Sequence, residues 1–226
     1  MMKKSLMYCC LFVCAMGIFS GCNKDDDKNQ SELVGKWNVK EMPMDIVWEA
    51  PDNVVIEAGP IKLTVKQLAA MMTPTLNELV QAGLKDVTFT ADEKIEATYK
   101  KKDSNEWMTA KDYAKYNVKG ENKIMLHPDA DKVFAEMKGV DPNTLVAAKA
   151  LFLAGIPVYY TQNGSSIRFY LDTKTVKALK NVLPILLASV KNIPDSVKPL
   201  LAKKLPDLLE KSTKVEIGLT MTKAAN

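Results

Sequence analysis

Cysteine is missing from every position after residue 22 of this 226-residue chain. Cys9, Cys10 and Cys14 lie in an apolar N-terminal stretch, and Cys22 directly follows it. No disulfide can staple the body, so its stability must come from a packed core. Histidine occurs once, as His127, and arginine once, as Arg168. A Ser-His-Asp or Cys-His centre would therefore have to be built on His127, which precedes Pro128 and reads as a strand-end residue near the surface. Ser165, Ser166, Ser189, Ser196 and Ser212 are present, but none sits in a Gly-x-Ser-x-Gly elbow. No spacing of His, Cys and carboxylates matches a zinc site. Asp129-Ala130-Asp131 opens like a calcium loop, but Val133 takes the next ligand position and no glycine stands sixth. Asp129 reads instead as the cap of a helix starting near Ala130. These absences predict a protein that is not an enzyme and carries no metal or cofactor.

What is there begins with an address. Lys3 and Lys4, the mostly apolar run Leu6–Phe19 and the small residues Ser20 and Gly21 have the layout of a signal peptide over residues 1–21. The stretch Phe19-Ser20-Gly21-Cys22 resembles the lipobox of bacterial lipoproteins, which implies cleavage before Cys22 and membrane attachment through acyl chains on it. A transmembrane reading of Leu6–Cys22 falls short of the roughly 20 apolar residues a span needs, and the polar run Asn23–Gln30 follows at once. Residues 22–31 read as a flexible acidic tether, too polar to pack. Within them, Lys24-Asp25-Asp26-Asp27 resembles the export signal of surface lipoproteins of the Bacteroidota. That resemblance implies an outer-membrane lipoprotein exposed at the cell surface. Without residues 1–21 the chain has 205 residues, with 29 basic against 27 acidic side chains, a balance of +2. This is too even to point to a nucleic-acid partner, and Lys100-Lys101-Lys102 reads as a solvated strand end.

The body, residues 32–226, alternates apolar and polar residues at a period of two in several segments, the mark of half-buried antiparallel strands. Leu33–Glu41 is the first. Val87 and Phe89 with Ile95, Ala97 and Tyr99 flank the turn Ala91–Lys94. Tyr116 and Val118 with Ile124 and Leu126 flank Lys119–Asn122. Val158 and Tyr160 with Ile167, Phe169 and Leu171 flank Asn163-Gly164, the strongest short-range hairpin signal. Val215, Ile217, Leu219 and Met221 alternate through the last strand, and Val54-Val55-Ile56 adds a short one. Helical insertions fall near 64–84, 129–154 and 173–210. Thr73-Pro74 and Asp141-Pro142 are each placed to cap and start one. Pro184, Pro194, Pro199 and Pro206 divide the third into two or three pieces. Neighbouring hairpins of about eight strands predict an α+β fold, an antiparallel up-and-down barrel with inserted helices.

The opening Leu33-Val34-Gly35-Lys36-Trp37-Asn38-Val39 carries Gly-x-Trp at the first strand, and here the chain resembles the lipocalin-like (calycin-type) lipoproteins of the Bacteroidota. The resemblance implies a barrel floor in which Gly35 turns the chain and Trp37 plugs the end. It also implies an arginine in a late strand over Trp37, and here the chain departs from the family, since its one arginine, Arg168, falls in the penultimate strand and the last strand offers Lys214.

Tyr159, Tyr160, Phe169 and Tyr170 form the best candidate for ligand contact, since aromatic faces stack on sugars or line apolar pockets. The competing reading is that they fill the core as ordinary strand formers. The Leu-rich segment 176–209 packs on the sheet, covers a cavity or lies on the membrane. Together these features predict one of two roles. The protein holds a small, partly apolar ligand in the barrel mouth beneath residues 173–210, or it is a non-enzymatic interaction subunit with a packed barrel whose partner is an envelope protein or glycan.

Overall fold

The computed structural model describes residues 32–58, 61–100, 105–135, 142–184 and 198–225. Cys22, the run Lys24–Asp27 and the signal segment lie outside them. Eight strands close into one antiparallel barrel. They are β1 (Gly35–Glu49), β4 (Leu84–Phe89), β5 (Lys94–Lys100), β6 (Trp107–Val118), β7 (Lys123–Pro128), β8 (Ile156–Asn163), β9 (Ser166–Leu171) and β10 (Lys214–Lys223). From β4 to β10 each strand pairs with the next, and β1 closes the ring between β10 and β4. The hairpin turns fall where the alternation breaks, at 90–93, 119–122 and 164–165. Two further strands, β2 (Val55–Ala58) and β3 (Ile61–Thr64), pair only with each other. The fold is thus α+β, a closed eight-stranded barrel with inserted helices, compatible with a lipocalin-like architecture.

Five helices are described, namely α1 (Val65–Gly83), α2 (Ala130–Ala135), α3 (Pro142–Ala154), α4 (Thr173–Ala178) and α5 (Lys198–Lys211). Helix α1 corrects the expected start at Thr73-Pro74. It begins at a capping box in which the Thr64 hydroxyl accepts from Gln67 N and the Gln67 side chain accepts from Thr64 N. Pro74 sits inside the helix. The Thr73 hydroxyl donates to Ala69 O at 2.8 Å, one turn back, and Asn77 Nδ2 donates to Thr73 O at 3.0 Å. Side chains thus brace the ladder around the missing proline amide. Asp129 caps α2, its Oδ1 accepting from Lys132 N at 3.0 Å, and Asp172 caps α4 through Thr175 N at 2.9 Å.

Helix α1 packs mainly on β1, and it does so at a break in the wall. Only Gly35–Asn38 of β1 pair with β4, whereas the pairing with β10 continues to Glu49 across a register shift between Val39 and Met44. The far half of β1 therefore pairs on one side only. Asn77, 2 % exposed, fills the other side at Met44. Its Oδ1 accepts from Met44 N at 2.7 Å and its Nδ2 donates to Met44 O at 3.0 Å. A side-chain amide thereby imitates one rung of a missing strand and ties the helix to the barrel.

Each end of the barrel is sealed around a tryptophan of β1. At the floor, Trp37 is fully buried and its Nε1 donates to Leu33 O at 2.8 Å. The cation over it is neither Arg168 nor Lys214. Lys223 lies 5.3 Å from the ring centroid and donates to Glu32 O at 3.1 Å, with its stem over Gly35. Trp37 and Lys223 are cross-strand partners, which puts that lysine on the tryptophan's side of the sheet, whereas Lys214 pairs with Glu49 at the other end of β1. At that other end, Trp48 Nε1 donates to Ser212 Oγ at 2.6 Å, and Ser212 donates to Leu208 O at 2.7 Å. Val176, Leu179, Leu205, Leu208 and Leu209 of the helical segment bury their side chains there, in one core with the barrel interior.

Candidate functional site

The four aromatic candidates divide by face. Neighbours along a strand point to opposite sides of a sheet, and the register pairs Tyr160 with Phe169 and Tyr159 with Tyr170. Tyr160 and Phe169 point inward and are buried. Phe169 stacks on Phe89 with centroids 5.3 Å apart, although β1 and β10 separate their strands in the wall. Tyr116 meets Phe89 edge-on at 5.0 Å, and Tyr160 lies 5.9 Å from Phe169. Four strands thus send rings into one layer across the interior. Its two phenols end on the floor turns, Tyr116 donating to Thr90 O at 2.9 Å and Tyr160 to Glu121 O at 3.0 Å. Burial, with the Glu32 carboxylate adding, pushes the Tyr160 phenol up to about 12, so it stays a neutral donor.

Tyr159 and Tyr170 stand on the outer wall, half-buried, as a stacked pair with centroids 5.8 Å apart. Their outer faces are occupied. Lys123 Nζ lies 5.8 Å from the Tyr159 ring and the Arg168 guanidinium 4.7 Å from Tyr170. The result is a four-layer sandwich of cation, ring, ring and cation. Burial raises the Tyr159 phenol, with Asp172 and Tyr170 adding to the shift. Arg168 continues the ladder, its Nε and Nη2 reaching the Asp45 carboxylate at 3.0 and 2.6 Å and Nη2 reaching Glu216 at 3.4 Å. Hydrogen bonding to Asp45 holds the guanidinium above its ordinary range. The bridge crosses β10 at Gly218, where a Cβ would come within 2.4 Å of Asp45 Oδ1 and 2.7 Å of Arg168 Nε. Only a residue without a side chain leaves room for that crossing.

Lys123, Asp45 and Gly218 were not among the expected site residues, and Arg168 stood there only in relation to the barrel floor. The period-two parity of Tyr159 against Tyr160, and of Phe169 against Tyr170, is legible in the sequence and separates the inner pair from the outer. Pairing between strands far apart in the chain, which brings Asp45 to Arg168, is not.

His127 lies on the outer side of β7, half-buried, against the backbone of Gly155. Gly155 follows α3 with φ +79°, and a Cβ there would sit 2.3 Å from His127 Cε1. Burial lowers the His127 pKa, and Lys119 adds to the effect while Glu93 opposes it. Ser166 and Ser212 spend their hydroxyls elsewhere, Ser166 on Lys40 and Met221 O, Ser212 on Trp48 and Leu208 O. Among the described residues no three His, Cys, Asp or Glu side chains converge on a metal position. No described helix is long and apolar enough to cross a membrane. No family model, curated protein or solved structure matches the chain.

Proposed function

We propose that this protein is a non-enzymatic, lipid-anchored envelope lipoprotein whose barrel is a filled scaffold, presenting its outer surface to an envelope protein or glycan. Acyl chains on Cys22 attach it to the outer membrane, and Lys24-Asp25-Asp26-Asp27 direct it to the cell surface. One observation carries the scaffold reading. Phe89 and Phe169 meet at 5.3 Å across the barrel, with Tyr116 and Tyr160 completing the layer. A ligand-carrying barrel needs a cavity of roughly 300 Å³ or more, and rings in contact across the interior occupy that space near the floor.

A second reading places a small, partly apolar ligand above this layer and beneath the helices of 173–210. It draws on the small interior side chains Ala97, Ala110 and Ala114 of the β5–β6 wall, with Tyr160 and Phe169 as the floor of the pocket. Native mass spectrometry of the chain purified from its own envelope separates the two. The scaffold reading expects the mass of the acylated polypeptide alone and no displacement of a bound apolar dye. A stoichiometric co-purifying small molecule overturns it in favour of the second.

A further inference from the structure

Helix α3 breaks the rule that an apolar helix is a buried helix. Residues 142–154 carry a single charge, Lys149, and it is neutralised by Asp131 at 2.6 Å. One side of the helix is in place, since Phe152 is 2 % exposed and α3 lies against β7. The opposite side is not. Val146 is 68 % exposed and Leu153 79 %, and exposed Ala150 stands between them. Positions 146, 150 and 153 share one helical face, so an aliphatic stripe points away from the protein. A helix apolar all round belongs in an apolar medium.

We infer that this stripe rests in the surface of the membrane to which Cys22 is anchored, as a second, shallow contact of the protein with lipid. The inference builds on the lipid-anchor reading above. Two observations favour lipid over a second copy of the chain. The three exposed side chains of Val146, Ala150 and Leu153 fall far short of the roughly 1,200 Å² that a stable protein interface buries, whereas insertion at a lipid surface needs no matching partner. The anchor is also within reach. Ten residues lead from Cys22 to Glu32, a span of at most about 35 Å, which exceeds the roughly 26 Å that the eight residues of β8 cover between the floor, where Glu32 lies, and the end where α3 joins the barrel. Thirteen residues are too few to cross it. With Lys149 paired to Asp131, the contact owes little to lipid charge.

The acylated chain carrying Leu153→Cys tests this directly, because acylation blocks the Cys22 thiol and residues 23–226 contain no other cysteine. A nitrobenzoxadiazole label at 153 is followed on phosphatidylcholine vesicles, with and without phosphatidylglycerol, beside the same label at exposed position Ala202→Cys of α5. The label at 153 should shift to the blue and be quenched by lipids with nitroxides in their chains. The shift should be the same with and without anionic lipid, and the label at 202 should stay wet. Protein that floats with the vesicles while label 153 stays as wet as label 202 overturns the inference and leaves the anchor standing. Protein that does not float overturns the anchor itself. A blue-shifted label 153 without vesicles, in a chain that sediments as a dimer, assigns the stripe to a second copy and overturns the membrane contact.

Discussion

Replacing Asn77 by alanine removes the one side chain that completes the wall of the barrel where β1 has lost its neighbour. Three hydrogen bonds disappear, one from Met44 N at 2.7 Å, one to Met44 O at 3.0 Å and one to Thr73 O at 3.0 Å. Each contributes about 1 kcal/mol net, and an unpartnered buried backbone group costs roughly 1–3 kcal/mol. Met44 is 7 % exposed, so its amide and carbonyl gain little from water. The expected loss is about 3–5 kcal/mol, measured by urea unfolding followed through far-ultraviolet circular dichroism and tryptophan emission. Glu78→Ala, one position along on the exposed side of α1, serves as the control and should stay within about 0.5 kcal/mol of the parent. Asn77→Leu fills the same space without the bonds and should also lose several kcal/mol. Hydrogen exchange adds a local readout, because the Met44 amide should lose its protection before the β4–β9 strands do. A loss under about 1 kcal/mol in Asn77→Ala, or full recovery in Asn77→Leu, would refute the idea that α1 closes the barrel through this amide.

Other perturbations follow from the floor, the outer ladder and His127. Lys223→Met keeps the aliphatic stem but loses the bond to Glu32 O and the charge over Trp37; it should cost about 1–2 kcal/mol in a thermal or urea melt, and Lys223→Arg should restore most of it. Gly218→Ala should cost about 1–3 kcal/mol by forcing Arg168 and Asp45 apart. In that background Arg168→Ala should add less than it does in the parent, and full additivity of the pair would count against the crossing described here. His127 is held below its ordinary pKa, so between pH 7 and 5.5 the unfolded chain binds more protons than the folded one. Stability must then fall as the pH drops through that window, and His127→Gln should flatten the slope there.

The hairpins were legible because turn residues interrupt a strict alternation, and Val87 to Tyr99, Tyr116 to Leu126 and Val158 to Leu171 each fold as that pattern predicts. What misled was local punctuation. Thr73-Pro74 looks like a helix start, yet a stronger start stands at Thr64 with Gln67, and the Thr73 hydroxyl and Asn77 brace the gap that proline leaves. The cation of the floor was missed for a different reason. Lys223 reaches Trp37 through a pairing that no short window displays, and only the β1–β10 register reveals it. The same holds for Asp45 with Arg168. The aromatic cluster was half legible, since proximity in sequence brought four residues together that strand parity then sent to opposite sides of the wall.

The position of β1 in the ring has a consequence for how the protein comes into being. Its Trp37 and the partner Lys223 stand 186 residues apart, and β10 (Lys214–Lys223) is the eighth and last strand of the ring in chain order. The first strand to be synthesised thus waits for the last one, with one hydrogen-bonding edge unsatisfied throughout. Such long-range closure is slow, and an open strand edge is a template for pairing with another chain. Loss of β10 would remove the seam of the barrel and the lysine over Trp37 together. Strand β10 is therefore the latch of the barrel, and its pairing with β1 decides whether the ring closes at all.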